Sequence, residues 1–118
     1  MTVRRRETDP SALAEGLRRQ FGDAPPSAIA ASLGIPIESE TRPVAEGRVR
    51  YLGECWFDPP RILLHPRGIA REAVRAGVPE AVLAERVIAH ELYHLLTEQA
   101  SSAEAECRAH AFAGELVR

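Results

Sequence analysis

His90-Glu91-Leu92-Tyr93-His94 places two histidines four residues apart with a glutamate directly after the first. On a helix, residues four apart lie one turn above each other on the same face, so both imidazoles can reach one ion. The intervening Glu91 then stands beside the open coordination position. This is the donor set of a zinc hydrolase, with two ligands and a general base on one rigid element. The competing reading is two ordinary core or surface histidines. By residue usage, a His-Glu-x-x-His string arises by chance in a chain this short on the order of 1% of the time or less.

The surrounding residues must supply the helix. Pro79 to Ala89 runs into the motif without a break. Pro79 suits a first helical position and Glu80 the positive helix start. Leu83, Val87, His90 and His94 fall along one stripe, with Ile88, Leu92 and Leu95 on an adjoining apolar one. A helix so apolar around its circumference is mostly buried, and its histidines must be hydrogen-bonded or bound to something.

A catalytic zinc usually takes three protein ligands and a water, so a third donor must come from elsewhere. Periodicity is lost across Gln99-Ala100-Ser101-Ser102, and Ser101 with Glu104 reads as a capping box opening a last helix. That helix returns antiparallel to the first. With the turn centred near Ala100, Glu106 stands level with His94 and His110 level with His90. Glu104 lies nearer the turn, and Glu115 about two turns beyond the site. Glu106 is the better-placed third ligand, with His110 close behind.

His90-Glu91-x-x-His94 followed by Glu106-x-x-Ala109-x-x-Phe112-Ala113-x-Glu115-Leu116 resembles the ImmA/IrrE-type metallopeptidases. Ile29 to Ile37 is similar to that family's opening helix and first strand, and Arg61 to His65 to the strand before its active helix. The resemblance covers the chain from about Pro26 onward. It implies zinc held by His90, His94 and Glu106, with Glu91 as the base. It also implies a regulatory peptidase acting on a repressor-like protein, in stress response or mobile-element control. The gap between His94 and Glu106 is shorter than in the family, His110 stands where the family usually has Asn, and the chain ends soon after Leu116-Val117.

Read as a hydrolase, zinc lowers the pKa of its water from about 15.7 toward about 7. Glu91 takes the proton and passes it to the leaving amine. Tyr51, His65, Tyr93 and His110 are candidate donors to the developing oxyanion, His110 being the nearest to the metal by the hairpin argument. An open sheet edge, with Arg61 to His65 as its candidate, would bind an extended peptide by strand addition. A rival from another class is a non-catalytic regulatory or protein-binding module in which His110 closes a four-ligand zinc site. A DNA reader is a third: Ala30 to Ile35 has the look of a helix-turn-helix turn, but Pro36-Ile37-Glu38 cannot continue as a recognition helix.

The chain has 118 residues and a formal charge of −2, which indicates a single soluble domain and no general affinity for nucleic acid. Residues 1–8, with Arg4-Arg5-Arg6, read as a flexible tail, and 9–118 as one minimal metallopeptidase-like domain. No run is apolar enough for a membrane span or signal peptide, so the expected setting is cytoplasmic. Cys55 and Cys107 match no metal or redox spacing and read as reduced packing residues.

The expected order begins with a helix from Asp9-Pro10 to Gly22 and a short one from Pro25-Pro26 to Gly34. Strands follow at Ile35–Glu38, Arg48–Leu52, Cys55–Phe57 and Arg61–His65, with turns at Gly53-Glu54 and Asp58-Pro59-Pro60. A helix near Ile69–Ala76 then leads through Gly77 to the motif helix. The fold class is α+β, with a zincin-like core: a small, mainly antiparallel sheet packed with helices that include the His-Glu-x-x-His helix.

Overall fold

A computed structural model describes residues 7–40, 52–100 and 102–117. Among the described residues the architecture is α+β, five helices around a sheet of three strands. Helix α1 (Pro10–Phe21) starts where the Asp9 carboxylate accepts from the Ala12 N–H at 2.9 Å, and it stops at Gly22, whose φ of 66° the sequence can reach there without a Cβ penalty. Helix α2 (Pro26–Ser32) buries Ile29 and Ala30. Strand β1 (Ile37–Ser39) follows, then β2 (Gly53–Phe57), β3 (Pro60–Leu64), α3 (Pro66–Ala76), α4 (Glu80–Thr97) and α5 (Ala103–Leu116).

The sheet order is β1-β3-β2. It is mixed, which corrects the mainly antiparallel expectation. β2 runs antiparallel to β3 with Cys55 opposite Ile62, while β1 runs parallel to β3 with Ile37 opposite Ile62. Parallel pairing needs a crossover connection and leaves no hairpin signal in sequence. Of the expected Arg48–Leu52 strand, 48–51 lie outside the described residues, as do the basic cluster at 4–6 and Ser101; Leu52 itself is a bend.

Gly53 and Glu54 belong to β2, not to a turn. A Cβ on Gly53 would come within 2.6 Å of Val87 Cγ1 and 3.5 Å of Glu91 Cγ. Glycine is here to let the strand backbone lie against α4, a use that local turn statistics do not distinguish from a bend. Two helix starts are also corrected. Pro79 is the residue before α4 and not its first helical residue, and Ser102 caps α5 by accepting from the Ala105 N–H at 3.1 Å.

Helix α4 is the centre of the molecule. Its side away from the cavity buries Ile88, Ala89, Leu92 and Tyr93 together with Ile29, Ile62 and Phe112. The Tyr93 and Phe112 rings sit 5.5 Å apart and lock α4 to α5. Helix α5 packs on both α4 and α1, and α4 also touches α2, α3, β2 and β3. Among the described residues no helix is long and apolar enough to cross a membrane.

Candidate metal centre

The stripe Leu83, Val87, His90 and His94 lines a cavity of about 1080 Å³, which β2 and α5 complete with Glu54, Cys55, Glu106 and His110. The helical spacing thus does what the sequence predicted, turning both histidines to one side. Donor atoms of His90, Glu91 and His94 all lie within 4.8 Å of one another. Helix α5 adds Glu106, which spans both rings: His90 Nε2 donates to Oε2 at 2.7 Å, and His94 Nε2 lies 3.0 Å from Oε1. The expected antiparallel return is therefore present, with one refinement. Glu106 faces both histidines and not His94 alone.

His94 is held by its other nitrogen. Its Nδ1 donates to the Gln99 carbonyl at 2.9 Å, and a carbonyl can only accept, so Nδ1 carries the hydrogen. In the neutral ring, Nε2 then presents a lone pair. This ring is 3% exposed, and Nε2 makes no hydrogen bond among the described residues in spite of its closeness to Glu106. The His94 lone pair and the Glu106 carboxylate thus point at each other across 3.0 Å. Such an arrangement is stabilised by a cation. The donor set, two imidazoles and a carboxylate, fits zinc.

The electrostatics favour the same use. Burial holds the His90 imidazole below its ordinary 6.5, against the pull of its hydrogen bond to Glu106, which keeps it neutral for ligation. Burial, then the charges of Glu106 and Glu54, push the Glu91 carboxyl from 4.5 up to about 7. A carboxylate so poised can accept and return a proton near neutral pH.

The other sequence candidates separate clearly. Tyr93 is fully buried and its hydroxyl donates to the Thr8 carbonyl at 2.5 Å, so it is no oxyanion donor. His65 is paired to Glu54 at 2.9 Å. Tyr51 lies outside the described residues, and His110, exposed, lines the cavity. Glu104 pairs with Arg108 and Glu115 with Ser11, both away from the histidines. Strand β3 is central, paired on both sides, so the proposed peptide-binding edge at Arg61–His65 is excluded; among the described residues β2 is the edge strand beside the cavity. Burial and the Glu91, Glu106 and Glu54 charges push the Cys55 thiol up to about 12, while Cys107 is exposed.

Sequence reasoning missed Glu54, Arg86 and the Gln99 carbonyl. Arg86 precedes His90 by one helical turn and lines the cavity, a position that the stripe itself could have indicated. A backbone carbonyl carries no residue signature.

No family model, no curated protein and no solved structure matches this chain. The reading of the site therefore stands on its geometry and chemistry.

Proposed function

We propose that this chain is a zinc-dependent metallopeptidase with a zincin-like core of the ImmA/IrrE type, cutting a peptide bond in a repressor-like regulatory protein in the cytoplasm. The observation that carries the reading is the Glu106 carboxylate set between the Nε2 atoms of His90 and His94, with buried Glu91 adjoining. His90, His94 and Glu106 would hold the zinc. Zinc would supply Lewis acidity toward a carbonyl and toward water.

The chain's own groups supply the rest. Glu91, held near neutral pKa by its surroundings, accepts a proton at its carboxylate from the attacking water and delivers it to the leaving amine. The Gln99 carbonyl fixes the tautomer and tilt of His94. His110 reaches the cavity from α5 and is a candidate, among the described residues, to donate toward a developing oxyanion. The cavity is large enough for a peptide segment.

His110 also carries the second reading, a non-catalytic module in which it fills the fourth position. Elemental analysis of zinc on tag-free protein separates the two. One zinc per chain that is lost with Glu106→Ala and kept with His110→Ala supports the open site, after which repressor-like proteins are tested as substrates with Glu91→Gln as the inactive control. Zinc lost with His110→Ala supports the closed site, and no uptake by the wild type removes both.

A further inference from the structure

Strand β2 carries a carboxylate into the cavity, and that carboxylate is held from behind. Glu54 accepts at Oε1 from His65 Nε2 at 2.9 Å. The two side chains differ sharply in exposure, 11% for His65 and 41% for Glu54. The pair is thus anchored at its imidazole end, at the start of α3, and open at its carboxylate end. That open end lines the same cavity as His90, Glu91 and Glu106.

The placement has a consequence for the cleft. A half-exposed hydrogen-bonded pair adds little to stability, and the Glu54 carboxylate lines the same cavity wall as Glu91. Glu72, from α3, also lines the cavity but is engaged by Arg75. Arg86 brings positive charge from α4, and His110 an imidazole from α5. Glu54 remains the carboxylate outside the proposed ligand set whose orientation is fixed by a buried partner. A positively charged group entering the cleft would meet it with one oxygen already oriented.

We propose that Glu54, oriented by His65, is a cation-reading subsite: it receives a positively charged group of the substrate peptide close to the bond to be cut. The group is a Lys or Arg side chain, or a free α-ammonium. Glu54 is the specificity-determining residue and His65 a positioning residue. This rests on the peptidase reading above.

The test is binding to zinc-loaded Glu91→Gln protein, followed by NMR titration with four short peptides. An acetylated, amidated alanine peptide with a central Arg is compared with its citrulline counterpart, which keeps the shape and removes the charge. An all-alanine peptide with a free amino terminus is compared with its acetylated form. The expected result is about tenfold tighter binding of the charged member of one pair. That ratio should fall to near one when Glu54→Gln is added, with zinc content unchanged. The first pair identifies a side chain and the second an α-ammonium. His65→Gln, which keeps a donor, should retain the ratio, and His65→Leu should lose it. Equal binding of all four peptides, or no binding, by protein that holds its zinc would overturn the subsite alone. Failure to take up zinc would instead remove the peptidase reading on which it rests.

Discussion

His94 Nε2 and the Glu106 carboxylate face each other across 3.0 Å without a hydrogen bond between them, because the Gln99 carbonyl already holds the His94 ring proton on Nδ1. A cation relieves that opposition, and its affinity should report each partner. Zinc affinity, measured by competition with a chromophoric chelator, should fall roughly 100-fold or more for Glu106→Ala. It should also weaken as pH falls below 6.5 and the His90 imidazole takes up a proton. Equal affinity in wild type and Glu106→Ala would show that Glu106 is only a hydrogen-bond acceptor for His90.

The metal-free protein should carry a stability signature of Glu91. Its carboxyl is raised from 4.5 to about 7 by burial and by Glu106 and Glu54. The folded chain therefore holds that proton more tightly than the unfolded one, and stability falls as pH rises through this window, by on the order of 3 kcal/mol. His90, held below 6.5, acts in the opposite sense, its contribution rising with pH up to that value. Comparing wild type with Glu91→Gln isolates the glutamate. The variant should gain on the wild type between pH 4.5 and 7 in urea denaturation, and a constant difference across that range would refute the shift.

Much of this site was legible because helices write their faces into sequence at short range. Asp9, Pro10 and Gly22 bound α1 as their chemistry requires, and the spacing of Leu83, Val87, His90 and His94 gave the cavity-facing stripe. The antiparallel return of α5 brought Glu106 to the histidines from a height argument alone. What stayed hidden depends on contacts distant in sequence. The parallel pairing of Ile37 with Ile62 joins segments without a shared turn. Gly53 reads locally as a bend, and only its approach to Val87 explains it as strand.

That approach makes a sharp packing prediction. A Cβ at residue 53 would meet Val87 Cγ1 at 2.6 Å and the Leu63 carbonyl at 3.3 Å. Valine is stiff at χ1, so it cannot swing aside cheaply. Gly53→Ala should destabilise the protein by about 1–3 kcal/mol. Combined with Val87→Ala, which removes the colliding methyl, it should cost less than the sum of the two single changes. Strict additivity in that double-mutant cycle would mean β2 does not lie against α4 as described.

The two cysteines should differ in reactivity, because burial first and then nearby carboxylates oppose ionisation of Cys55. Cys107 is exposed, while Cys55 borders the cavity yet is held up to about 12 by burial and then by Glu91, Glu106 and Glu54. At pH 8 roughly one Cys55 thiol in ten thousand is then ionised, and the thiolate is the species that reacts. Iodoacetamide followed by peptide mass spectrometry should label Cys107 well before Cys55. Since Glu91 is the first of the charges acting on Cys55, Glu91→Gln should speed its labelling several-fold and leave Cys107 unchanged. Equal rates at both cysteines in the wild type would place Cys55 outside the negative field of Glu91 and Glu106, and with it the geometry of the cavity wall would have to be redrawn.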